Sequence, residues 1–245
     1  RYRQDKSVTY IYDIFSKKLT EVAPFTVDLL LPSGAENLNY VLYTDESPYK
    51  MQREWLDRLP FDIYSVNVHT GAKRLIGRSY RTAPKWSVNG KWAVMYDPIA
   101  QVWNKFDGAT GKVVNISDAI GYPMFMESYD KPAPAPAYGI AGWTADGNNV
   151  FLYDAYDWWK IDLTGERQPE CLTKGYGRKH GKSIRKMTSN IDKDVFQKDE
   201  KVIVSLWDKD TMDEGVYQLD MKGRLRKWME GNYVYTIHRF SDNHE

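Results

Sequence analysis

The sequence is poor in the features that define several large classes of protein. It has one cysteine, Cys171, in 245 residues, which rules out an internal disulfide and any cysteine-rich zinc site. A lone Cys beside Leu172 in a strand-like run reads as a small core hydrophobe rather than a nucleophile. No apolar stretch approaches the length of a membrane-spanning helix. Charge of one sign is also missing. With 34 basic and 33 acidic residues the net charge is +1, so there is no global field to hold nucleic acid or an anionic membrane. One tract, Lys174 to Lys186, is locally basic, with Arg178, Lys179, His180, Lys182 and Arg185, and reads as a solvated loop, because no aromatic stacking platform is interleaved there in a nucleic-acid motif. Helical runs of ten or more residues between strands, which a parallel α/β fold needs, are absent too.

What is abundant is aromatic surface. Phe, Trp and Tyr make up 14% of the chain, with 18 Tyr and 9 Trp. Large flat rings suit half-buried pleated sheet. The rings recur in a repeat. Trp86-Ser-Val-Asn-Gly-Lys-Trp-Ala-Val-Met-Tyr96 aligns with Trp143-Thr-Ala-Asp-Gly-Asn-Asn-Val-Phe-Leu-Tyr153. Each has a Trp, an Asn-Gly or Asp-Gly turn and an apolar run, which is the grammar of a hairpin. A second unit follows: alternating residues, a turn ending in glycine, then a last strand. It occurs before Gly71, Gly111, Gly165 and Gly223, at spacings of 40, 54 and 58 residues.

Four short strands per repeat with variable loops predict an all-β fold, a β-propeller of four-stranded antiparallel blades. About four complete blades are expected, with partial blades at both ends, in a single domain or propeller fragment spanning 1–245. The blades read as 1–22 (partial), 25–76, 84–116, 138–173, 183–228 and 233–245 (partial). In the first, strands are expected near Val8–Tyr12 and Leu19–Val22, and Tyr233-Val-Tyr-Thr-Ile237 reads as the opening strand of the last. Tyr49 to Leu59 reads as a short helix whose apolar side packs, and Asp130 to Ala137, with Pro132, Pro134 and Pro136, as an extended linker. A chain that opens on Arg1 and starts and ends in mid-blade is expected of a piece of a longer protein. The alternative is a tail strand that closes a five-bladed ring.

The Trp-x-x-(Asn/Asp)-Gly hairpins and the turns after them resemble two groups of propellers. One is the TolB type. The other is the prolyl-oligopeptidase and dipeptidyl-peptidase IV family of serine peptidases, in particular its exported bacterial members. The segments that carry the second likeness are Phe61 to Gly71, Gly142-Trp-Thr-Ala-Asp-Gly147, and Tyr153-Asp-Ala-Tyr-Asp-Trp158 with Leu172-Thr173 after it. The resemblance implies a propeller that caps and gates a separate α/β-hydrolase domain of the same parent protein, with a peptide as substrate and a periplasmic location. In such peptidases the triad serine sits in a Gly-x-Ser-x-Gly elbow in the hydrolase part. No such motif occurs here, and Pro32-Ser33-Gly34 reads as a turn. None of His69, His180, His238 and His244 lies in a triad context. The adjacent glutamates that dipeptidyl members use to hold a substrate amino group have no counterpart, since no Glu-Glu occurs. The chain by itself is therefore expected to carry no catalytic residue, no metal and no cofactor.

The candidate binding residues are Tyr153, Asp154, Tyr156, Asp157 and Trp158. Flat rings beside carboxylates could line a channel or meet a partner. The same residues could equally make a strand–turn–strand whose rings pack between blades and whose aspartates cap the turn, and the affinity of Asp for turns favours this. Asp208, Asp210 and Asp213 have the alternate spacing of calcium ligands, but Lys209 intervenes and no glycine makes the sharp turn, so a solvated loop is expected. A stand-alone TolB-like binding propeller and a propeller acting on sugars through paired carboxylates are the competing functions.

Overall fold

Four four-stranded antiparallel meanders, one of them extended by a parallel strand, and one opening hairpin make up the sheets of the described residues. The structure is a computed structural model that describes residues 8–24, 29–31, 39–56, 58–187 and 194–236. Phe25, the Pro32-Ser33-Gly34 turn, Ile237, His238 and His244 lie outside the described residues. The chain divides into two compact units, Arg1–Asn115 and Ile116–Glu245.

In the first unit, β1 (Thr9–Asp13) and β2 (Lys18–Ala23) form a hairpin. Next come β3 (Leu29–Leu31), β4 (Tyr40–Asp45), β5 (Phe61–Asn67) and β6 (Lys73–Tyr80), paired in chain order. The third sheet repeats that meander with β7 (Lys85–Trp86), β8 (Trp92–Asp97), β9 (Val102–Asp107) and β10 (Val113–Asn115). Strand β4 is buried along Val41, Leu42 and Tyr43 without a polar break. The reason is that both of its faces are covered. Val41 and Tyr43 pack with Val22 and Val66, whereas Leu42 packs with Ile63, Ala93 and Phe106. A strand sandwiched between two neighbours gains apolar burial at every residue, not every second one.

The second unit holds β11 (Ile140–Thr144), β12 (Asn149–Tyr153), β13 (Trp158–Asp162) and β14 (Glu170–Cys171) in one sheet. A short helix, α1 (Tyr176–His180), leads to β15 (Lys182–Lys186). Then β16 (Val195–Phe196) leaves to pair in parallel with β11, and β17 (Lys201–Asp208), β18 (Glu214–Asp220) and β19 (Leu225–Gly231) complete the last sheet with β15. Ala141, Phe151, Trp158, Ile184, Val204, Leu206 and Leu219 form the core between these two sheets. The architecture is all-β, of four-stranded antiparallel propeller blades.

The turn chemistry follows from the residues. Gly71, Gly111, Gly165 and Gly223 have φ of +75°, +71°, +85° and +80°, a region in which a Cβ is strained. The residue that opens each of these turns accepts from the backbone beyond it. Asn67 Oδ1 takes the amides of His69 and Thr70. Asp107 Oδ1 takes those of Ala109 and Thr110, and Asp162 and Asp220 do likewise.

Three expectations are corrected. The basic tract Lys174 to Lys186 is not a solvated loop but holds α1 and β15, because Ile184, the middle residue of β15, is part of the core. Residues Tyr233 to Thr236 are not in a strand; the Tyr235 amide donates instead to Glu214 Oε2. The helix in the Tyr49–Leu59 insertion is a 3-10 helix at Ser47–Gln52, and Met51 and Trp55 face solvent rather than packing.

Candidate functional site

The five candidate residues sit in the tight connection from β12 to β13. Tyr153 pairs with Trp158 across the hairpin, which leaves residues 154–157 as its loop. Asp154 caps that loop: its Oδ1 accepts from the amides of Tyr156 at 2.7 Å and Asp157 at 2.6 Å. Its Oδ2 accepts from the Trp159 indole at 3.0 Å and from Arg178 Nη2 at 2.9 Å. Asp157 Oδ1 accepts from Thr173 Oγ1 at 2.6 Å and from the Gly177 amide at 2.9 Å, and its Oδ2 from the Arg178 amide at 3.0 Å. Both carboxylates are shut off from water, at 0% and 1% exposure. Burying an ionised carboxylate is costly unless hydrogen bonds and a counter-charge replace its hydration, and here they do.

The loop's carbonyls are engaged as well. Ile184 N donates to Tyr156 O at 2.8 Å, Ser183 Oγ to Ala155 O at 2.7 Å, and Arg185 Nη2 to Asp154 O at 2.7 Å. The Arg185 guanidinium lies 4.7 Å from the Tyr153 ring. Burial pulls its pKa below the usual arginine value, against the pull of Tyr153 and Asp154. Burial likewise pushes the Tyr153 hydroxyl up to about 12. Trp158 is fully buried, edge-on to Tyr153 at 5.3 Å, and its indole donates to Ile184 O at 3.1 Å. Every one of these contacts to β15 ties one blade to the next.

Tyr153, Asp154, Asp157 and Trp158 are therefore gathered inside a blade-to-blade fastener, and Tyr156 is half-buried at its edge. What reaches solvent there is aromatic and cationic. The Arg178 guanidinium lies 3.9 Å from the Tyr122 ring and 5.1 Å from that of Tyr156, with Lys209 Nζ 5.2 Å from Tyr156 on the same loop cluster. This edge can stack on a ring or meet an anion. The carboxylates behind it are closed off from solvent.

Arg178 and Arg185 belong to the basic tract expected to be a solvated loop, and the structure brings both to this segment instead. Gly175 and Gly181, with φ of +72° and +67°, bracket the five-residue helix that carries Arg178. Asp208 belongs to an ordinary turn, its Oδ1 accepting from the amides of Asp210 and Thr211. Among the described residues no three His, Cys, Asp or Glu side chains gather to hold a metal.

No protein-family model and no curated protein sequence matches the chain. Solved structures do. The β-propeller domain of the Trilobed protease from Pyrococcus furiosus is 13% identical over 83% of this chain and 58% of its own, with a TM-score of 0.40. Porphyromonas gingivalis dipeptidyl peptidase 4 is 10% identical over 92% of this chain and 38% of its own, with a TM-score of 0.42. Kluyveromyces lactis Hsv2 is 10% identical over 82% and 61%, with a TM-score of 0.34. The chain thus spans between 38% and 61% of the length of these three. Propeller domains of peptidases stand among its structural neighbours at low identity, and the blade assignment itself rests on the four-stranded sheets and turns of this chain.

Proposed function

We propose that this chain is the non-catalytic propeller region of a serine peptidase of the prolyl-oligopeptidase and dipeptidyl-peptidase IV family, exported to the periplasm. In this reading it caps an α/β-hydrolase domain of the same parent protein and gates the access of peptides to it. The observation that carries the reading is the segment Tyr153 to Trp158. Its residue order resembles that of exported bacterial peptidases, and its side chains fasten one blade to the next. Such a segment serves a rigid gate: the wall must hold its shape while the chemistry happens elsewhere. Tyr153, Asp154, Asp157 and Trp158 then act by positioning, and Tyr156, with Tyr122 and Lys209 beside it, faces the peptide or the hydrolase domain.

The test is a peptidase assay on the full natural gene product beside this chain. Short peptides with Pro, Ala or Gly before the scissile bond serve as substrates, with a serine-directed covalent inhibitor as label. Cleavage and labelling are expected in the full product alone. Absence of both from the full product would overturn the reading in favour of a binding propeller.

A further inference from the structure

The first unit carries a groove of about 520 Å3, far in sequence from the segment discussed above. Arg53, Arg58 and Arg81 line it, with Glu46 as the one carboxylate among the described lining residues. Leu56, Leu59 and Phe61 supply its apolar lining, and of these Leu59 is buried. Arg53 pairs with Glu46 at 3.5 Å. Arg58 and Arg81 are both exposed, and among the described residues neither pairs with a carboxylate. Two guanidinium groups therefore line the groove together with apolar side chains, in an otherwise charge-balanced chain.

The groove is held in shape by one buried carboxylate. Asp62 Oδ1 accepts from the Tyr49 hydroxyl at 2.5 Å and from the Ser79 amide at 3.1 Å. The first bond ties the 3-10 helix to β5, and the second ties β5 to the end of β6, two residues before Arg81. Ser79 adopts φ of +57°, a region a serine rarely enters. Strain of this kind persists only where surrounding contacts enforce it, and it is often found beside ligand clamps.

Planar guanidinium forks match a carboxylate in geometry. The apolar lining has nothing to offer a bare ion, and Glu46 beside it disfavours a dianion such as phosphate. We propose that the groove binds the terminal carboxylate of a peptide whose last residue is apolar, with Arg58 and Arg81 holding the carboxylate and Leu59 and Phe61 the side chain. The proposal does not depend on the peptidase reading, since it needs only the first unit and no hydrolase domain.

Titration of the full chain with N-acetyl-Ala-Leu, followed by backbone amide shifts, tests it against the C-terminal amide of the same peptide and against inorganic phosphate. The acid is expected to bind with a Kd of about 1 mM or tighter, and the amide about ten-fold more weakly. R58Q and R81Q sit at exposed positions, are expected to leave the thermal transition unchanged, which checks the fold, and are each expected to weaken the acid about five-fold or more. Y49F, which unties the 3-10 helix, should weaken it with the arginines intact. Equal binding of acid and amide, phosphate binding tighter than the peptide, or no shift at about 10 mM peptide would each overturn the proposal.

Discussion

Two hairpins with the same local chemistry, one in each unit, differ in what they do. In β8–β9, Tyr96 and Asp97 end the first strand, and Asp97 Oδ1 accepts from the amides of Ile99 and Ala100, both at 2.9 Å. In β12–β13, Tyr153 and Asp154 occupy the same places with the same pair of amide bonds. Yet Asp97 stays at the half-buried edge, and Asp154 is sealed inside the protein against Arg178. The difference arises outside the hairpin. The connection that follows β10, residues 116–139, contains no arginine, whereas the one that follows β14, residues 172–181, forms α1 and delivers Arg178. Each sheet pair also has an indole tie, Trp86 Nε1 to Leu31 O at 3.0 Å and Trp158 Nε1 to Ile184 O at 3.1 Å. The aspartate is thus a turn cap by local chemistry, and a blade fastener only where the connection after the blade brings an arginine to it.

The comparison can be broken most sharply at the aspartates. Asp154→Ala removes four hydrogen bonds and the counter-charge of Arg178, and should cost about 3–5 kcal/mol in urea unfolding. Asp97→Ala removes a partly hydrated cap and should cost about 1 kcal/mol. Equal costs for the two would mean that the buried pair adds nothing to the cap.

A second contrast uses glycines that share a positive φ. A Cβ at Gly223, φ +80°, would stand 1.9 Å from Leu172 O, whereas one at Gly121, φ +73°, meets nothing within 4 Å. Gly223→Ala is expected to cost about 3 kcal/mol or more, by strain and clash together. Gly121→Ala should cost about 1 kcal/mol, for backbone strain alone. Matching unfolding midpoints would show that the turn at Gly223 moves freely away from Leu172.

The smallest effect is set by acid. In the second unit, hydrogen bonds hold Asp146 and Asp208 below the usual carboxylate range, and at Asp162 and Asp220 they do so against the opposing effect of burial. The ammonium of Lys182 brings Glu230 down to about 2. Carboxylates depressed in the folded state stabilise it above their unfolded pKa, about 4, and that stability fades as pH falls through the folded values. Amide protection in β15 and β17–β19 should therefore drop between about pH 4 and pH 2. E230Q should remove part of this dependence while leaving β8 and β9 as they were.

How far the chain could be read in advance depends on the range of the interaction involved. The hairpin turns were legible because Asn-Gly, Asp-Gly and the turn glycines act within four residues. The apolar runs of β4 and β8 were legible as strands for the same reason. The aspartates of Tyr153 to Trp158 were legible as turn caps. Their burial was not, because Arg178 and Arg185 lie in a tract whose charges, taken alone, look solvated. Nor does charge pattern announce that Tyr49 and Ser79 share Asp62, since those residues meet only once β5 and β6 are paired.

The sequence by itself determined the blades, their count of strands and the conformation of their turns, since these rest on local φ preferences and a period-two pattern. Only the tertiary structure decided which of several equivalent aspartates is buried, which arginines meet it and which are left facing solvent. Burial and charge pairing are properties of the space between elements, and that space exists only after the sheets have packed.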